Sequence, residues 1–145
     1  VVIYIRQMNF TVNELCKSKT ATRKGIDNTP TPKVKENLEK LIKNVLQPLR
    51  DKFGEPIIVD SGYRCPKLNM AVGGAKTSQH LYGQAADIRT VSDTVTDNKR
   101  LFDTAKKMID DKEIIVGQLI NEYNYNWVHI SIPDERHKNQ IIAIK

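Results

Sequence analysis

The chain has 145 residues, 39% of them hydrophobic and 28% charged, and carries a net charge of +6. That length suits one compact domain, and that balance excludes a disordered or fibrous chain. No apolar run approaches the roughly 20 residues of a membrane span, and no block of like charge or nucleic-acid motif accompanies the basic surplus, so neither a span nor a nucleic-acid partner is expected.

The opening VVIYIRQ has no methionine and no basic-then-apolar leader; a removed leader or tag is one expectation, and no destination is read from it. FTVNELCKS (10–18) predicts a short helix with Thr11 as N-cap and Glu14 completing a capping box. DNTPTP (27–32) reads as a turn-rich break. In 31–54, Val34, Leu38, Leu41, Ile42, Val45, Leu46 and Leu49 form the stripe of an amphipathic helix, opened by Pro32 and closed by Gly54. Pro48 is expected to kink it or to end its first part.

EPIIVDSGYR (55–64) reads as a strand running into a loop, and CPKLNMAVGG (65–74) as one or two helical turns ending in a glycine pair. GQAADIRT (83–90) is a second strand. TVTDNKRLFDTAKKMIDD (94–111) is a second amphipathic helix, with Leu101, Phe102, Ala105, Met108 and Ile109 facing inward. VGQLINE, NWVHISI and NQIIAIK are three further strands. The expected class is α+β: a small, mainly antiparallel sheet packed with helices. A single domain over 1–145 is expected, with a helical part at 8–54 and a core at 56–145. Its two cysteines, Cys16 and Cys65, lie in no metal-binding or redox motif and are expected as buried free thiols, although a disulfide between them stays open.

Of the three histidines, two occupy positions that suggest a metal site. Gly83 allows a tight change of direction between His80 and Asp87. In the following strand Ala86 and Ile88 face one side, so Asp87 faces the other, beside the small Ala85. In NWVHISI the β-branched Val128, Ile130 and Ile132 should face the core, which turns His129 to the opposite side. Two imidazoles and a carboxylate, with a fourth position left for water, are a ligand set that suits zinc. His137, in PDERHKN, reads as a surface residue.

Ser78, His80, Gly83, Ala85 and Asp87 reproduce the SxHxxGxAxD signature of the zinc D-Ala-D-Ala carboxypeptidase family, which also holds vancomycin-resistance dipeptidases and phage L-alanyl-D-glutamate endopeptidases. The lead-in SGYRCPKLNMAVGG and the closing WVHIS resemble the flanking elements of that family, and the resemblance covers nearly the whole chain. It implies a hedgehog/DD-peptidase-like fold, a Zn2+ ion on His80, Asp87 and His129, and the bacterial peptidoglycan stem peptide as substrate. It also implies that Arg64 binds a substrate carboxylate or the oxyanion, and that Ser78 lines the site. A monomer acting on the cell wall, in the periplasm or outside the cell, is the corresponding expectation.

One position departs from the pattern. Many members carry a carboxylate three residues before the last histidine ligand, where this chain has Asn126. Glu122, at the end of the preceding strand, is the expected general acid/base, as in the hedgehog domain, whose glutamate similarly lies further upstream. Asn126 keeps a second reading in play: a non-catalytic module that binds wall peptide or a partner on the same fold. Tyr63 and Trp127 are candidate cleft walls, with packing the commoner role for such aromatics.

Overall fold

The five expected strands form one sheet in the computed structural model, which describes residues 8–145; the opening VVIYIRQ lies outside the described residues. In spatial order the strands are β1 (Ile57–Ser61), β2 (Ala85–Thr90), β4 (Trp127–Ser131), β3 (Gln118–Glu122) and β5 (Gln140–Ile144). Neighbours are antiparallel except β3 and β5, which run parallel, so the fold is α+β with a mainly antiparallel sheet.

Alternation decides the faces. Ala86 and Ile88 of β2, Leu119 of β3, and Val128 and Ile130 of β4 enter the hydrophobic core. Leu101, Phe102, Ala105, Met108 and Ile109 of α6 (Val95–Asp110) meet them there, as the stripe predicted. The opposite face is left for polar side chains. β5, at the edge, is exposed along its whole length. Among the described residues no helix is long and apolar enough to cross a membrane.

The N-terminal part is α1 (Val12–Cys16), α2 (Lys19–Lys24), α3 (Pro32–Leu41) and α4 (Gln47–Phe53). Thr11 caps α1, accepting a hydrogen bond from the Glu14 amide at 3.1 Å. α2 was not foreseen: its KTATRK sequence buries only Ala21, so no apolar stripe announces it. The helix does not end at Pro48. Between α3 and α4 it passes through a π-helical turn, Ile42–Leu46, in which the Gln47 amide bonds the Ile42 carbonyl. A proline lacks an N–H and clashes with the carbonyl four residues back, and the wider turn immediately before it relieves both demands.

DNTPTP is more than a break. Asn28 donates to the Cys16 carbonyl (2.8 Å) and the Tyr63 carbonyl (2.9 Å) and accepts from the Cys65 amide (2.8 Å). It therefore ties α1 to the loop that carries Arg64. Cys16 and Cys65 are free thiols, but half-buried rather than buried. Cys65 caps α5 (Pro66–Ala71), its sulfur accepting from the Leu68 amide at 3.4 Å.

The 3-10 turn Gln79–Tyr82 closes on Gly83 at φ 69. A Cβ at Gly83 would lie 2.8 Å from the Val34 carbonyl oxygen and 3.0 Å from Leu38 Cγ. Asn37 of α3 also holds this turn, donating to the Tyr82 carbonyl at 2.9 Å. The turn bearing His80 is thus seated directly on α3. Gly83→Ala is expected to combine left-handed backbone strain with overpacking and to destabilise the fold by about 1–3 kcal/mol, read as a lower urea midpoint with unchanged slope.

Candidate functional site

Register assembles most of the site. Asp87 lies directly opposite His129 on the β2–β4 ladder, and on the β3–β4 ladder Ile120 lies opposite His129 and Glu122 opposite Trp127. Cross-strand partners share a face, as do residues two apart. Asp87, His129, Trp127 and Glu122 therefore stand together on the face turned from the core.

His80 arrives from outside the sheet. β1 loses register between Val59 and Ser61, so Ser61 comes opposite Asp87 while Asp60 bulges out to accept from Arg89 Nε at 3.0 Å. The chain then passes Gly62, where a Cβ would lie 2.2 Å from the Leu15 carbonyl oxygen, so only glycine permits this approach to α1. The Gly62 carbonyl accepts a hydrogen bond from His80 Nδ1 at 2.7 Å, and the Arg64 amide donates to the His80 carbonyl at 3.0 Å.

The three expected ligands come together. His80 Nε2 lies 3.3 Å and His129 Nδ1 3.1 Å from Asp87 Oδ1, and one donor atom from each residue falls within 4.8 Å of the others. The rings stand nearly edge to face, centroids 5.2 Å apart. Their rear nitrogens are occupied: the Gly62 carbonyl faces His80 Nδ1, and Gln79 Oε1 faces His129 Nε2 at 3.2 Å. Each acceptor requires a proton on the nitrogen it faces. A neutral imidazole then presents a bare lone pair forward, and both lone pairs aim at a carboxylate oxygen. Three converging lone pairs are satisfied by a second proton on an imidazole or by a metal cation.

Zinc fits that demand. Tetrahedral bonds of about 2.0–2.1 Å separate neighbouring donors by roughly 3.3 Å, close to the two spacings found here. Burial works to raise the Asp87 pKa. Whenever the facing imidazoles carry a proton on that side, their charge and N–H donors outweigh burial and hold the carboxyl well below its ordinary range, the same stabilisation a bound cation would give.

Glu122 is half-buried on the same face. Burial first, and then the Asp87 charge, push its pKa above the usual glutamate value. The imidazoles and the Trp127 indole N–H, which is buried outside hydrogen-bonding geometry, oppose the shift without reversing it. The hairpin turn beyond Glu122 carries three non-glycine residues at positive φ, Tyr123, Asn124 and Tyr125. It is held by Asn98 of α6, which donates to the Tyr125 carbonyl at 2.9 Å, and by Asn121 Oδ1, which accepts from the Tyr125 amide at 2.6 Å.

Arg64 faces the same space. Burial lowers its pKa, while the charges of Asp87 and Glu122 work in the opposite direction. Its Nη2 donates to Ser78 Oγ at 3.2 Å, and its Nε is buried with no acceptor among the described residues. Ser78 is also a cap, accepting from the His80 amide at 3.2 Å. The one hydroxyl thus caps the turn that bears His80 and steadies the Arg64 guanidinium.

Some features left no trace in the sequence. Gln79 occupies one of the variable positions of the signature, and the Gly62 carbonyl acts through backbone alone. His137, expected on the surface, is half-buried with Nδ1 2.9 Å from Asp134 Oδ1. Tyr63 packs in the core rather than lining the cleft. Trp127 is half-buried and stands edge-on to Tyr123, centroids 5.1 Å apart.

An α+β fold that brings a carboxylate and an imidazole on the polar face of its sheet together with a second imidazole from an adjoining turn, both rings anchored from behind, has the build of a metal-binding domain. The chain belongs to the peptidase M15 family, whose signature matches residues 8–131. It is 48% identical over 44 residues to the zinc D-Ala-D-Ala carboxypeptidase of Streptomyces albus G, a stretch covering 30% of this chain and 17% of that relative. Gly62→Ala tests the support behind His80. The forced retreat from Leu15 should displace the carbonyl and weaken zinc binding by about 10–100-fold, measured by competition with a chromophoric chelator.

Proposed function

We propose that this chain is a zinc peptidase that hydrolyses a D-amino-acid-containing bond of the bacterial peptidoglycan stem peptide, as a D-Ala-D-Ala carboxypeptidase or a cell-wall endopeptidase. The observation that carries this reading is the convergence of His80 Nε2, His129 Nδ1 and Asp87 Oδ1, each imidazole bonded from behind. Family membership and the partial match to a zinc D-Ala-D-Ala carboxypeptidase support it. On this reading residues 1–145 act as one monomeric, hedgehog/DD-peptidase-like unit, with the helical part at 8–54 supporting the core at 56–145. Its place of action is the cell wall, in the periplasm or outside the cell.

His80, Asp87 and His129 would hold the ion. When bound, zinc supplies Lewis acidity, polarising a carbonyl and lowering the pKa of a water toward about 7. The chain's own groups do the rest. Glu122 takes a proton at its carboxylate and returns it to the leaving amine, a role that a raised pKa suits. Arg64, steadied by Ser78, offers Nε–H and a guanidinium face to a substrate carboxylate or to the negative charge that develops as the bond breaks.

The second reading, a binding module on the same fold, draws on Asn126, whose amide cannot accept a proton. Turnover of muropeptides by zinc-loaded protein, followed by mass spectrometry, separates the two. Loss of one terminal alanine identifies a carboxypeptidase, cleavage inside the stem an endopeptidase, and zinc uptake without turnover the module. Glu122→Gln should keep its zinc and lose about 10²–10⁴-fold in turnover. Arg64→Lys, which keeps the charge but not the planar fork, should cost about 10²–10³-fold in kcat if it holds the developing charge.

A further inference from the structure

His129 is held from behind by a side chain, not by backbone, and a glutamine can present either end of its amide. What decides the end lies one layer further out. Gln79 Nε2 donates to Asp134 Oδ2 at 2.9 Å, and Gln79 is only 6% exposed. Asp134 is fixed in turn by the loop after β4. Its Oδ1 accepts the amides of Arg136 and His137, both at 2.8 Å, its carboxylate lies within 3.0 Å of His137 Nδ1, and its own amide donates to the His137 carbonyl at 3.1 Å. Burial opposes its ionisation, but the hydrogen bonds from His137, Gln79 and the two amides hold its pKa at about 2. It is an acceptor only at any working pH.

We infer that Asp134 is a positioning residue for the metal centre: through Gln79 it fixes the tautomer and ring orientation of His129. A carboxylate can face only the NH2 end of Gln79. The amide oxygen must then face His129 Nε2, which must carry the ring proton, and Nδ1 is left bare toward Asp87. The device spans three side chains in series, and its outer member lies beyond residue 131, where the family match stops. His80 needs no such device, because a backbone carbonyl cannot turn round.

This inference rests on the metal-centre reading, so its test carries one measurement that does not. The first readout is the pair of imidazole nitrogen shifts of His129 in metal-free protein at pH 8. The second is zinc affinity by chelator competition. Wild-type protein should show the Nε2–H tautomer.

In Asp134→Asn the new amide keeps its oxygen on the Arg136 and His137 amides and turns its NH2 to Gln79. The Gln79 amide flips, the ring proton moves to Nδ1, and zinc binding weakens by about 10–100-fold. Adding Gln79→Glu to that variant restores an acceptor at Nε2 and a matched donor at position 134, so tautomer and affinity should both return toward wild type. A merely structural aspartate would not be rescued by this exchange. The inference is overturned if Asp134→Asn keeps both the Nε2–H tautomer and wild-type affinity, or if the double variant fails to recover. If wild-type protein takes up no zinc, the metal reading falls, and the tautomer of Asp134→Asn still decides this one.

Discussion

Two hydrogen bonds behind the imidazoles control what this site can do. The Gly62 carbonyl and the Gln79 amide oxygen each claim a ring proton, and so each turns an unprotonated nitrogen toward Asp87. Without them the rings could point their N–H groups at the carboxylate and close a self-satisfied, hydrogen-bonded cluster. With them the cluster is short of positive charge in its own ground state. The fold meets that cost because its core is on the other side of the sheet, where Ile88, Val128 and Ile130 are fully buried. Apolar burial stabilises the strands, and the strands impose the polar geometry.

The N-terminal helices take part in this although none of them supplies a candidate ligand. Gly62 can reach His80 only because α1 leaves room for a residue without a side chain, and the Tyr63 amide anchors there on the Leu15 carbonyl at 2.8 Å. Asn28 fastens the same loop from its other side, and α3 carries the turn that bears His80 through Gly83 and Asn37. The helical part therefore sets the distance between His80 and the sheet, while register alone sets that between Asp87 and His129. A change in how α1 and α3 pack would move one ligand and leave two in place.

Much of this was legible in the sequence, for a physical reason. Strand alternation in AADI and WVHIS is strict, so the side on which Asp87 and His129 fall follows from where Ile88 and Ile130 must go. The stripe of α6 is equally regular. What stayed hidden has no periodic signature. α2 is too polar to show a stripe, the π turn before Pro48 answers a local steric problem, and the bulge at Asp60 changes register without changing composition. Gln79, Asp134 and His137 meet across as many as 58 positions through single hydrogen bonds that no local pattern encodes. Reading His137 as surface went wrong there, since its loop folds back onto the Gln79 turn.

The place of Glu122, the proposed base, follows from the same ladder. In β4 a residue three before His129 has the wrong parity to share its face, and position 126 belongs to the hairpin turn, where the Asn126 amide closes the turn by donating to the Glu122 carbonyl at 3.1 Å. A carboxylate there would have to reach back from the turn itself. Glu122 needs no such reach: it pairs with Trp127, which has the parity of His129, and so stands on the ligand face by construction. The three left-handed residues that follow it are the backbone cost of a turn tight enough to keep this pairing to its last residue, and Asn98 and Asn121 offset that cost from the helix and from the strand. Asn126 is then a turn residue, and on the proposed reading the acid/base role falls to the strand-end carboxylate, where burial and Asp87 already raise its affinity for a proton.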